Sequence, residues 1–122
     1  YGPHMKADIL VVDDDVSVRR SLTKLLAAVG YRPTAAASSR AGLEHAAKLR
    51  PDLILIDMHM PQMSGIDAAR AFKADSMLGR VPMIAMSAKS PPCDFEPLLV
   101  SFLLKPMSST QLFAAIERAL PR

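Results

Sequence analysis

The chain predicts an α/β fold, a doubly wound parallel sheet of five strands with helices on both faces. Short, fully apolar runs alternate with longer segments of helical period. Strands that alternate with helices pair in parallel through right-handed crossovers. Strands covered on both faces read as unbroken apolar runs. A further observation locates the chemistry. Polar residues directly follow these runs at Asp13-Asp14-Asp15, Asp57, Ser87 and Lys105. In open α/β sheets, sites lie at the carboxyl ends of strands, near the switch in strand order.

Ile9 to Val12 forms the first buried strand. Val16 to Val29 has helical period, with Val18, Leu22, Leu25, Leu26 and Val29 on one face and Arg19, Arg20 and Lys24 elsewhere. Gly30 stops this helix. Thr34 to Ala37 is a weak second strand of small residues. Ser39 is a cap for a second helix over Arg40 to Leu49, which ends before Pro51. Leu53 to Ile56, apolar throughout, is the third strand. A loop with Pro61 and Gly65 leads into a helix over Ile66 to Ala74. Pro82 to Met86 and Val100 to Leu104 are the fourth and fifth strands. Ser108 or Ser109 caps a last helix running to about Leu120. Between these two strands, residues 90–97 hold three prolines in eight residues, so the fourth crossover helix should be short or irregular.

A chain of 122 residues suits one domain with a real core. Half its residues are apolar and 22% are charged, as in a globular chain. No apolar stretch approaches the ~20 residues that cross a bilayer, and no signal peptide is visible. Tyr1-Gly2-Pro3-His4 reads as a tag remnant, leaving residues 5–122 as the domain. The single cysteine, Cys93, rules out an internal disulfide and fits a cytoplasmic location. The net charge of +3 reflects a scattered excess of Lys and Arg. It predicts neither direct nucleic-acid binding nor membrane attachment.

Asp13 and Asp14 end the first strand and Asp57 ends the third. If those strands are neighbours, three carboxylates converge, and their repulsion calls for a hard dication. Mg²⁺ suits the role because it accepts a few carboxylates and keeps sites for phosphate oxygens. The blander alternative makes Asp14 or Asp15 a helix cap and Asp57 the start of a turn. Capping fits Asp15 but leaves the set of acids unexplained. Ser87 offers a hydroxyl. Lys105, held between an apolar run and Pro106, can stabilise a phosphoryl group. His45 reads as a solvated helix residue. For His59, the backbone carbonyl is expected to matter more than the ring. The eight methionines read as core and loop filler.

Together these residues resemble the receiver domain of two-component response regulators. The resemblance spans Ile9 to Leu120. It rests on the acidic pair, on Asp57 with Met60-Pro61 and Gly65, on Ser87-Ala88, and on Lys105-Pro106. It implies a flavodoxin-like strand order, 2-1-3-4-5. It makes Asp57 the phosphoacceptor for a phosphoryl group carried on a kinase histidine. Asp14 becomes a direct Mg²⁺ ligand, Asp13 the acid that holds metal-bound water, and His59 a ligand through its backbone carbonyl. Ser87, beside Ala88, becomes the switch hydroxyl, Lys105 the partner of the new phosphate, and Lys105–Pro106 a cis peptide. His59 and Lys89, two residues beyond Asp57 and Ser87, would tune the phosphate's lifetime.

Three features depart from the family pattern. Leu98-Leu99 stands where Gly-Ala is usual, the segment from Ser87 to Lys105 is short, and Phe102 replaces a frequent Tyr. The expected partner is a sensor histidine kinase or phosphotransfer protein, with a homodimer left open. The domain is expected to be no enzyme beyond self-phosphotransfer and autodephosphorylation. Two rivals remain: a pseudo-receiver that binds without phosphorylation, and a small aspartyl-phosphate hydrolase, for which the chain has no room for a cap.

Overall fold

A computed structural model describes residues 7–60, 65–89 and 101–120. Five strands form one parallel sheet: β1 (Asp8–Val12), β2 (Arg32–Ala36), β3 (Leu53–Asp57), β4 (Met83–Ser87) and β5 (Ser101–Leu104). Their spatial order is β2-β1-β3-β4-β5, the order the resemblance implies. Four described helices surround the sheet: α1 (Val16–Ala28), α2 (Ser39–Leu49), α3 (Gly65–Ala74) and α4 (Ser109–Ala119).

Strand alternation splits the core into two layers. Ile9, Val11, Leu55 and Met86 face one way and pack with Leu26 of α1 and Ile116 of α4. Leu10, Val12, Ile54 and Ile56 face the other way and pack with Ala46 of α2 and Phe72 of α3. Ile9 to Val12 of β1 and Leu53 to Ile56 of β3 are therefore dry on both faces, which is why these runs carry no polar residue.

Chain reversals follow local chemistry. Asp15 caps α1 by accepting hydrogen bonds from the Ser17 and Val18 amides at 2.8 and 3.2 Å. Gly30 takes a positive φ of 102° and ends it, as expected of a glycine stop. Ser108 and Gln111 form a reciprocal capping box at the start of α4.

Several boundaries differ from expectation. Ser38, not Ser39, caps α2, accepting from the Ala41 amide at 3.1 Å, while Ser39 is a buried first helical residue. β2 starts at Arg32, earlier than its small residues suggest, because the Arg32 amide donates to Ala7 and its guanidinium pairs with Asp8. Val29 is 40% exposed because α1 ends at Ala28, before Val29 can join the buried face. The proline-rich fourth crossover, with Leu98 and Leu99, lies outside the described residues.

α2 approaches β1 closely. A Cβ added at Gly42 would stand 2.9 Å from Val12 Cγ2, and Val12 is fully buried. Gly42→Val should lower the unfolding free energy by roughly 1–3 kcal/mol through overpacking. The urea midpoint reads this directly, and an unchanged midpoint would mean the helix can move off the strand at no cost.

Candidate functional site: an acidic pocket at the strand ends

β1 pairs with β3, and β3 with β4, so the carboxyl ends of these strands lie side by side. The chain after β1 crosses outward to β2, while β3 lies on the other side of β1. The crevice where strand order switches opens at this point. Asp13 follows β1 and Asp57 is the last residue of β3. Both are buried, at 1% and 5% exposure, whereas Asp14 faces solvent. Carboxylate oxygens of Asp13, Asp14 and Asp57 lie within 4.8 Å of one another.

Lys105 reaches this cluster from the end of β5. Its Nζ stands 3.3 Å from Asp13 Oδ2 and 3.5 Å from Asp57 Oδ1. Its amide donates to the Ser87 carbonyl at 2.7 Å, tying the end of β5 to that of β4. The Lys105–Pro106 peptide is cis. The Met58 amide likewise ties β3 to β4, donating to Met86 O at 3.0 Å.

One ammonium faces three carboxylates, so negative charge remains in excess. Burial pushes the Asp13 carboxyl above its ordinary value of 3.8, and the charge of Asp57 adds to the rise. The Asp15 amide and the Lys105 ammonium act the other way without cancelling it. A dication would relieve this stress. The donor set fits Mg²⁺: hard oxygens, closely spaced, one of them on a solvent-facing residue that leaves water access.

The remaining expected residues are also placed. Ser87 ends β4 and is buried. Its Oγ accepts from the Lys89 amide at 3.0 Å and lies 2.8 Å from His59 Nε2. The exposed His59 ring reaches across to Ser87, a contact that the sequence reading left aside. The His59 amide points back at Asp57 Oδ1, 3.4 Å away. Ala88 and Lys89 are exposed at the rim. Phe102 is half-buried on β5 and packs against Met58 and Ala85.

Sequence reasoning missed one contributor. Arg19, which helical period places off the apolar face of α1, donates from Nη1 to the Asp13 carbonyl at 2.9 Å. The Asp15 amide also donates to Asp13 Oδ1 at 3.0 Å. The loop that presents Asp13 and Asp14 is thus fixed from both sides. The available signal was an arginine in the first turn of a helix that follows an acidic loop.

The raised Asp13 value has a signed consequence in the metal-free protein. The folded state keeps this proton at a pH where the unfolded chain has lost it. Asp13 therefore makes stability fall as pH rises from 3.8 through the raised folded value. Asp13→Asn removes that ionisation. Without divalent ions, variant and parent should melt alike at low pH. The variant should then gain a lead on the order of a few degrees that levels off at neutral pH. A variant that melts lower than the parent at neutral pH would contradict the assignment.

A profile of the response regulator receiver domain matches residues 9–117. The response regulator MtrA of Mycobacterium tuberculosis strain H37Rv, described as DNA-binding, is 35% identical over 97% of this chain. The transcriptional regulatory protein ZraR of Escherichia coli K12 is 36% identical over 96% of it. These alignments cover 52% and 27% of the two relatives, so the chain spans about half or less of their length. Among solved structures, chemotaxis protein CheY4 of Vibrio cholerae superposes with a TM-score of 0.88 at 29% identity, covering 93% of this chain and 98% of that one. The receiver domain of sensor histidine kinase PA1611 from Pseudomonas aeruginosa PAO1 gives 0.84 at 29% identity, covering 93% and 96%; that structure has a magnesium ion coordinated in its active-site cleft. With the fold, the strand-end acids and Lys105 in place, the chain belongs to the response regulator receiver domains of two-component signalling.

Proposed function

We propose that residues 5–122 form a Mg²⁺-dependent phosphoacceptor that takes a phosphoryl group from a kinase histidine onto Asp57 and then changes a partner surface. The observation that carries this reading is the convergence of Asp57, Asp13, Asp14 and Lys105 at neighbouring strand ends. Asp57 is the acceptor because it ends β3, the central strand of the sheet, between the Asp13 carboxylate and the rim, with Lys105 Nζ 3.5 Å from its Oδ1. Its free carboxylate oxygen attacks phosphorus in line. A P–O bond forms as the P–N bond to the donor imidazole breaks, and the bonding pair leaves on that nitrogen.

Bound Mg²⁺ supplies charge neutralisation to the phosphoryl oxygens. Asp13, Asp14, Asp57 and the His59 carbonyl would hold it, Asp13 through water. Lys105 offsets charge on another phosphoryl oxygen, and Ser87 gives it a hydroxyl proton. Lys105 Nζ already stands 3.5 Å from Asp57 Oδ1, so this donor needs little reorganisation. Phosphorylation turns a carboxylate into a more highly charged group beside Ser87 and Lys105, and so biases the rim around Ala88 and Phe102. A sensor kinase or phosphotransfer protein is the expected donor. An apolar cleft lined by Val18, Ala88, Pro106 and Met107 adjoins Lys105 and offers such a partner a footing. The setting is cytoplasmic, and no reaction beyond self-phosphotransfer and autodephosphorylation is assigned.

With Mg²⁺ and acetyl phosphate, the protein should take up one acid-labile, hydroxylamine-sensitive phosphate and then stop. Asp57→Asn should abolish it, because an amide is a poor nucleophile. Undiminished labelling of that variant, or continuous turnover of the donor, would point to a different acceptor or to a hydrolase. His59 and Lys89 stand at the rim, where their side chains hinder water from approaching in line. Replacing both with Ala should speed loss of the phosphate. Pulse labelling followed by a chase measures this, and an unchanged or slower loss would refute the shielding role.

A further inference from the structure

Ser87 is held in a way that bears on when it can act. Its side chain is buried, and one lone pair of its hydroxyl is taken by the Lys89 amide. His59 Nε2 lies 2.8 Å from the same oxygen, across the gap from the β3 end to the β4 end. A serine hydroxyl has one proton to give, and phosphoryl oxygens can only accept. With the ring proton on Nδ1, Nε2 accepts that one proton from Ser87. With it on Nε2, the ring fills the second acceptor position. Only the first arrangement commits the hydroxyl proton to the ring; in the second, the ring and the Lys89 amide fill both lone pairs and leave the proton free to point elsewhere.

We propose that the His59 ring, with its own proton on Nδ1, is a positioning residue that latches Ser87 in the unphosphorylated protein, so that Nε2 must let go before the hydroxyl can turn to a phosphoryl oxygen on Asp57. This rests on the phosphoacceptor reading above. The latch is suited to release. His59 is exposed, so its ring exchanges the serine for water without leaving a buried polar group unpaired. Ser87 is buried, so its hydroxyl needs a partner at all times and passes from the ring to the phosphoryl oxygen. The exchange gives the switch two discrete arrangements, and His59 weights the resting one.

Beryllofluoride with Mg²⁺ is the probe, because it mimics the phosphoryl group and separates the latch from any shielding of hydrolysis. Its affinity is measured by calorimetry in the parent, His59→Ala, His59→Phe, Ser87→Ala and the doubly changed His59→Ala/Ser87→Ala protein. All of these keep the backbone carbonyl of residue 59. His59→Ala and His59→Phe should both bind about three- to tenfold tighter than the parent, the scale of one net hydrogen bond. His59→Phe keeps ring bulk, so a shared gain assigns the effect to the nitrogen. In the Ser87→Ala background the gain should vanish, since the latch has nothing to hold. Unchanged or weaker binding by His59→Ala, or an equal gain with and without Ser87, would overturn the latch while leaving the phosphoacceptor reading intact. A parent protein that does not bind the probe with Mg²⁺ would overturn both.

Discussion

Asp13 and Asp57 are buried carboxylates at the ends of adjacent strands, and Lys105 stands between them. Much of the architecture serves to make that contact possible. β1 must pair with β3 for the two acids to meet, which requires the crossover through α1 and β2 to turn the other way. β5 must sit beyond β4 so that Lys105 can reach back over the sheet edge. Both faces of the sheet must be covered, so that charge is confined to the strand ends. The two apolar layers, with α1 and α4 on one side and α2 and α3 on the other, provide that cover.

Such a cluster is stressed when it stands alone. Burial already holds the Asp13 carboxyl above its usual range, with Asp57 contributing. The surrounding backbone does not relax to separate the acids. It pins them instead, through the Asp15 amide on Asp13, the Arg19 guanidinium on the Asp13 carbonyl, and the Lys105 amide on Ser87. Carboxylates held together in this way fit a hard dication.

Much of this was legible in the sequence, for a physical reason. Strands buried on both faces must be apolar along their whole length, so an aspartate that ends one marks the sheet edge. Asp57 after Leu53-Ile54-Leu55-Ile56 is such a case. Neighbour relations were not legible in this way, since nothing in Ile9 to Val12 states that Leu53 to Ile56 lies beside it; that came through resemblance. Contacts made by long side chains off the buried faces were also hidden. Arg19 looks like a solvated residue by helical period, and only its rotamer shows that it reaches Asp13. His59 and Ser87 are 28 residues apart, and their bond depends on how two loops pass each other. Caps shift by one residue where serines are adjacent, as at Ser38 and Ser39, because either hydroxyl can do the work.

The Asp13, Asp14 and Asp57 carboxylates make a candidate cation site under electrostatic stress. A Mg²⁺ titration of the melting temperature, run on the parent and on Asp14→Ala, tests it most directly. Binding to the folded state alone should raise the parent's melting temperature with added Mg²⁺, by about 2.7 kcal/mol of stabilisation at a hundredfold excess over Kd. Asp14→Ala, which removes the solvent-facing ligand while sparing the buried pair, should need far more Mg²⁺ for the same rise. A parent whose melting temperature ignores Mg²⁺, or a variant that follows the parent's curve, would contradict the account.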